Sequence, residues 1–192
     1  MPDPRVIRER YCATAPGYDE LYSQEQREKY KVICSSLRPR GVLADIGAGT
    51  CLFEEFLTES GLVGGLRYVV ALDLTDCMLE LCRARLAKLR LLHLVDIVVA
   101  DAEHLPLRSK CVDVSVAVTV FDLAASPEAA IREMVRVTRG RGVYTLLRRV
   151  EARRLYSLCE VYLGETDKDV VCSPRALHER GDDARVSEEQ RV

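Results

Sequence analysis

The chain has no Cys-x-x-Cys pair, although it holds eight cysteines: Cys12, Cys34, Cys51, Cys77, Cys82, Cys111, Cys159 and Cys172. Structural zinc sites draw on such paired spacing, so none is expected and no metal is assigned. The thiols read as small apolar fillers of helices and strands, with disulfides expected only if the source is a hyperthermophile. Lysine is scarce, occurring only at positions 29, 31, 88, 110 and 168, so positive charge rests on arginine, whose planar fork suits carboxylate and phosphate. A formal charge of −2 leaves no basic excess to announce a nucleic-acid binder. No apolar run approaches transmembrane length, and the polar opening Met1-Pro2-Asp3-Pro4-Arg5 is followed by no signal-peptide core. A cytoplasmic location with no membrane association is therefore expected.

What is present is organised around Val42-Leu43-Ala44-Asp45-Ile46-Gly47-Ala48-Gly49-Thr50-Cys51-Leu52-Phe53, an apolar run that breaks at two glycines and resumes with helical spacing. It reads as strand, tight turn, helix. Glycine at 47 and 49 removes the Cβ atoms that would hold a ligand away from the turn. A dinucleotide fingerprint would place a third glycine at position 52, where this chain has Leu, so pyrophosphate binding loses support. Tyr68-Val69-Val70-Ala71-Leu72-Asp73 then ends a second strand in a carboxylate roughly 20 residues past the turn, placed to accept ribose hydroxyls. Asp96-Ile97-Val98-Val99-Ala100-Asp101 repeats the layout.

In order and spacing, Asp45/Gly47/Gly49, Asp73 and Asp101-Ala102 resemble motifs I, II and III of the class I S-adenosylmethionine-dependent methyltransferases, over about residues 11 to 150. The resemblance implies an α/β, Rossmann-like fold: a mainly parallel sheet with helices on both faces and an N-terminal helical cap. It also implies S-adenosylmethionine as cofactor, held by Asp45, Gly47, Ala48, Gly49, Asp73, Leu74, Asp101, Ala102, Thr119 and Tyr18. Leu74 is expected against the adenine ring, with Asp101-Ala102 at its amine edge. Tyr18, Asp19 and Tyr22 fall in a segment that resembles the one many small methyltransferases fold over the cofactor; packing of the first helices on the sheet accounts for these tyrosines equally well.

A single domain is expected over residues 1–170, with a helical cap at 1–38, a cofactor-binding core at 39–150, and a last helix and edge strand within 151–170. Ser23 and Gln26 read as a capping box opening the second cap helix. Ser126-Pro127 reads as another helix start. Arg83, Arg85, Lys88 and Arg90, like Arg132, Arg136 and Arg139, read as solvated faces. Val170-Val171-Cys172 is the one strand visible near the end. The family's terminal hairpin is therefore expected to be truncated, and residues 173–192 to form a disordered or loosely attached tail.

The resemblance implies direct transfer of a methyl group from sulfonium to an acceptor, which is RNA, protein or a small molecule. No general base is demanded by such chemistry; Asp122 and His104 are the nearest candidates. The chain carries Val118-Thr119-Val120-Phe121 where methyltransferases acting on adenine or amide nitrogens have Asn/Asp-Pro-Pro-aromatic, which counts against that acceptor class. Arg148, Arg149, Arg153 and Arg154 follow strand five at the functional edge and point to an anionic acceptor or RNA. The alternatives are a non-catalytic, cofactor-binding partner subunit and, less favoured, an NAD(P)-dependent oxidoreductase. Some small family members also need an activator protein.

Overall fold

The computed structural model describes residues 4–148 and 156–178. Seven strands form one sheet in the order β3-β2-β1-β4-β5-β7-β6. These are β1 (Gly41–Ile46), β2 (Leu66–Asp73), β3 (Val95–Val99), β4 (Val112–Ala117), β5 (Thr138–Leu147), β6 (Val161–Glu165) and β7 (Asp169–Ser173). The first five are mutually parallel, and β7 runs antiparallel to both β5 and β6. Their central segments are nearly continuous apolar runs, as strands covered on both faces require. Two clusters of buried side chains, one on each face, make up the core. The strand order reverses between β1 and β4, which in an open α/β sheet places a crevice beyond the carboxyl ends of these two strands.

The helices are α1 (Pro4–Thr14), α2 (Tyr18–Ser36), α3 (Leu52–Glu59), α4 (Asp76–Lys88), α5 (Pro127–Val137) and α6 (Arg175–His178). The expected helical cap is α1 and α2, but Ser23–Gln26 does not start α2. The break falls at a 3-10 turn, Ala15–Gly17, where Pro16 supplies no N–H and Gly17 stands as the helix N-cap. Ser23 therefore lies inside α2, and Gln26 is buried. Tyr30 of α2 packs on Phe53 and Phe56 of α3, with ring centroids 5.1 and 5.6 Å apart. The Ser126 cap is as expected, its hydroxyl accepting from Ala129 N–H at 3.3 Å.

The second half of the chain differs from the sequence reading toward its end. Strand β5 begins at Thr138 and takes in Arg139-Gly140-Arg141-Gly142. A Cβ at Gly140 would collide with the Asp113 carbonyl of β4, and Gly142 leaves room for the Leu177 side chain of α6. The terminal hairpin is complete. Its outer strand β6 escaped notice because Val161-Tyr162-Leu163-Gly164-Glu165 is short, half exposed and interrupted by glycine. Of the stretch where a last helix was expected, residues 151–155 lie outside the described residues and 156–158 form a 3-10 turn. Residues 173–178 are ordered, with Ser173 ending β7 and Leu177 fully buried. The rest of the expected tail, residues 179–192, lies outside the described residues.

Six cysteines pair, which corrects the reading of most of them as fillers: Cys12–Cys77, Cys51–Cys82 and Cys159–Cys172, with Cα separations of 5.5, 4.8 and 5.3 Å. Cys34 and Cys111 remain free. Partners 65, 31 and 13 residues apart leave no short-range spacing signal. Among the described residues, no helix is long and apolar enough to cross a membrane.

Candidate functional site: a cleft at the carboxyl edge of the sheet

The glycine turn after β1 is built as its sequence demands. Gly47 and Gly49 take left-handed backbone conformations, φ +76° and +54°. A Cβ on Gly47 would fall inside the Val120 side chain, whereas one on Gly49 would meet only Met78 Cε, at 3.7 Å. The N–H groups of Gly47 and Ala48 both donate to the Leu72 carbonyl of β2, at 2.7 and 2.9 Å, and Gly49 N–H donates to Asp73 Oδ2 at 2.8 Å. The turn's amides are thus spent on the neighbouring strand, not turned outward as a phosphate cradle. This agrees with the missing third glycine.

A cleft opens beside this turn. Gly47, Gly49, Asp73, Leu74, Asp101, Ala102, Thr119 and Tyr18, all expected at the site, line it. Asp73 is half-buried at the end of β2, and its second oxygen accepts from Thr75 N–H at 2.8 Å. Burial raises its pKa against the lowering effect of those N–H donors. Asp101 Oδ1 accepts from Glu103 N–H at 2.9 Å, which shapes the loop after β3. That loop is anchored from α5: Glu133 accepts from Leu105 N–H at 2.8 Å, and Arg136 donates to the carbonyls of Leu105 and Leu107 at 3.0 and 2.8 Å. Arg136 thus ties α5 to this loop, while Arg139, on β5, pairs with Asp113 but stays exposed as expected.

The two expected base candidates lie off the cleft lining. His104 is 83% exposed in its side chain. Asp122 accepts from Leu147 N–H through both oxygens, at 3.2 and 3.3 Å, and burial pushes its pKa up to about 6. The neighbours of Asp122, namely Val120, Leu123 and Ala124, do line the cleft and give that wall an apolar character.

The cap covers the cleft with aromatic side chains. Tyr11 and Tyr18 line it, their centroids 6.2 Å apart, and Tyr22 stacks on Tyr18 at 4.9 Å from outside. Asp19 does not line the cleft; it accepts from the Thr50 hydroxyl at 2.7 Å and pairs with Arg85 of α4. Arg85 also donates to the Thr50 carbonyl, so a residue read as part of a solvated face in fact locks cap, glycine turn and α4 together. On the other side, Cys12–Cys77 and the Arg8–Asp76 ion pair fasten α1 to the start of α4.

A smaller cavity continues past the turn and shares Tyr18, Gly47, Gly49 and Val118 with the cleft. Gln26, Asp45 and Ala48 line it, which is where two further expected site residues fall. Beneath it Asp45 meets Glu54 of α3, both buried. Burial is the main cause of the raised pKa of each, to about 7 for Glu54 and well above the carboxylate range for Asp45, which also feels the Glu54 charge. The Glu54 oxygens and Gln26 Oε1 meet no donor among the described residues, and burial favours the protonated form of both acids. One end of the combined space is thus rich in acceptors and the other is flat-sided and apolar. An elongated ligand with a cationic end, a ribose at Asp73 and an adenine by Leu74 fits this layout. Gln26 and Glu54 were missed from sequence because nothing local distinguishes them from ordinary helix residues.

Fold and cleft together define an α/β domain of the class that binds S-adenosylmethionine. The family model described as "Methyltransferase domain" matches residues 44–146, more than half of the chain, and the chain belongs to that family. A malonyl-[acyl-carrier protein] O-methyltransferase from Serratia marcescens is 33% identical over 72% of this chain and 51% of its own length. The chain spans about half the length of the curated relatives it matches. Among solved structures, a SAM-dependent methyltransferase from Aquifex aeolicus matches with a TM-score of 0.61 at 18% identity, over 90% of this chain and 98% of that one. The structure of the Haloferax volcanii Trm112 methyltransferase activator in complex with its putative methyltransferase matches with a TM-score of 0.55 at 18% identity, over 70% and 58%. At these identities the two structures speak for the fold. The cofactor implied by family and fold is S-adenosylmethionine.

Proposed function

We propose that the protein transfers a methyl group from S-adenosylmethionine by direct displacement to an anionic acceptor. The observation that carries this is the meeting of an acceptor-lined cavity and an apolar cleft at the Gly47–Gly49 turn. In this reading Asp73 accepts the ribose hydroxyls on the lone pairs left by Gly49 and Thr75. Leu74 lies against adenine, and Asp101 with Ala102 N–H meets the edge of the ring. Asp45, Ala48 and Gln26 face the ammonium end, and Thr119 and Tyr18 close over the middle. Bound there, the cofactor supplies an already activated methyl, so the chain's task is alignment, worth up to roughly 7–11 kcal/mol in the best oriented systems. Tyr11 and Tyr18 exclude water. Asp122, with its pKa near 6, stands one residue from the cleft wall as a candidate base; His104 is too exposed to be favoured.

The Serratia relative is named for O-methylation of a malonyl carrier, which supports a carboxylate among anionic acceptors over RNA or an amide nitrogen. Of the arginines expected to dock the acceptor, Arg148 is engaged by Glu165 at 3.3 Å and by the Thr166 carbonyl at 3.1 Å. Arg149, Arg153 and Arg154 lie outside the described residues. The likeness to an activator-bound methyltransferase supports a protein partner as well. A cytoplasmic location, with three disulfides, implies the disulfide-tolerant interior known for hyperthermophiles. Incubation with methyl-labelled cofactor and a cell extract tests the reaction. Label released as methanol by mild alkali supports carboxylate methylation, alkali-stable label on RNA or protein overturns it, and saturable cofactor binding without any transfer points to a non-catalytic partner subunit.

A further inference from the structure

Thr119 stands at φ +59° just past the end of β4. Of the four non-glycine residues with positive φ among those described (Cys51, Arg90, Lys110 and Thr119), it alone is β-branched. A β-branched residue is held in the left-handed region only when its surroundings over-determine it. Two contacts do so here. Its N–H donates to Thr145 Oγ1 at 2.9 Å, and its own hydroxyl accepts from Lys29 Nζ at 2.8 Å. Lys29 comes from α2, ninety residues away in sequence, and is fully buried. The ammonium's other neighbours are Asp169 Oδ2 of β7 at 2.8 Å and Glu25 Oε1 at 2.9 Å. The ammonium thus donates to one hydroxyl and is ion-paired with two carboxylates, in a pocket where an unpaired charge is costly.

The turn at Thr119 sends Val120 against the bare Cα of Gly47, and Thr119, Val120 and Gly47 all face the cleft. We infer that Lys29 is a positioning residue: its buried ammonium holds Thr119 in the left-handed turn that sets the β4 loop against the glycine turn. This rests on the reading that the cleft takes the cofactor. Lys29 itself lines neither cavity, so it acts through Thr119, which does line the cleft.

The test is a double-mutant cycle on affinity for S-adenosylhomocysteine, measured by calorimetry. Lys29→Met lowers affinity about tenfold, in line with the cost of an unsupported left-handed residue. Thr119→Gly has its own penalty, but glycine needs no help to adopt φ > 0, so Lys29→Met adds less than about twofold in that background. Equal penalties in both backgrounds overturn the inference, because a role confined to Asp169 and Glu25 would not notice residue 119. The melting temperature separates the two roles: Lys29→Met strands the Asp169 carboxylate and lowers it in either background. If Lys29→Met does not fold, the cycle is run with Asp169→Asn throughout, which removes the stranded charge. Failure of the wild-type chain to bind the ligand sinks the cofactor reading alone. Hydrogen exchange at the Thr119 amide then decides: lost protection in Lys29→Met sustains the inference, and unchanged protection overturns it.

Discussion

Gly47 and Val120 touch across the floor of the cleft so closely that any side chain on Gly47 would occupy the space of the Val120 isopropyl group. The carboxyl ends of β1 and β4 are thereby brought into register, and the cleft takes its shape from that contact. Gly47→Ala combines a left-handed alanine with overpacking, whereas Gly49→Ala carries only the backbone cost, since Met78 leaves it room. Gly47→Ala is expected to destabilise the fold by roughly 1–3 kcal/mol more than Gly49→Ala. Urea unfolding of the two variants compares them directly, and equal midpoints would contradict the contact.

Asp73 is expected to matter twice. A solvent-facing carboxylate at a strand end would cost little to remove, but this one ties the glycine turn and the start of α4 to β2. Asp73→Ala should therefore weaken S-adenosylhomocysteine binding by roughly 1.5–3 kcal/mol and also lower the melting temperature. A variant with full affinity would reduce Asp73 to a turn residue.

The pH dependence of stability follows from the carboxyls raised by burial, Asp45, Glu54, Asp73, Asp122 and Asp169. Glu54 titrates near 7 and Asp122 near 6 when folded, both above their unfolded values of 4.5 and 3.8, so the folded state holds more protons in that interval. Their contribution is complete below about pH 4 and is lost as pH rises through 6 to 7. Asp76, Asp113 and Glu133, lowered by Arg8, Arg139 and Arg136 respectively, act the other way and lose theirs in acid. Stability should peak near pH 5 and fall toward pH 8, with Glu54 contributing up to about 3 kcal/mol of the decline. Glu54→Gln should flatten the alkaline side; an unchanged slope in denaturant titrations at pH 5 and 8 would count against the raised Glu54 carboxyl.

Thiol titration of the unreduced, denatured chain should find two reactive cysteines, Cys34 and Cys111. A count of eight would mean that the three bonds do not form in solution.

The β1–Gly47–Gly49–α3 unit, the acidic end of β2 and the Asp101 loop just past β3 were legible in the sequence because each depends on residues a few positions apart. Strand alternation, a glycine where backbone must turn left, and a carboxylate at a strand end are local signals. The misread features all depend on distance. Ser23-x-x-Gln26 matches a capping box, yet Gln26 is drawn into the core and the helix runs straight through. Arg85 looks like its neighbours on the exposed face of α4 until Asp19 arrives from 66 residues upstream. Cysteine pairing and the partners of Lys29 are likewise properties of the assembled sheet, and β6 is a strand only because β7 pairs with it.

The first two disulfides interleave: Cys51 lies within the loop closed by Cys12–Cys77, while its partner Cys82 lies beyond it. Unfolding cannot therefore release the N-terminal half as a free coil. With the bonds intact, residues 12–82 remain a cross-linked net that exposes less new surface to denaturant, and closing the longer loop alone removes about 4 kcal/mol of chain entropy from the unfolded ensemble. Reduction should then lower the unfolding midpoint and steepen the denaturant dependence together.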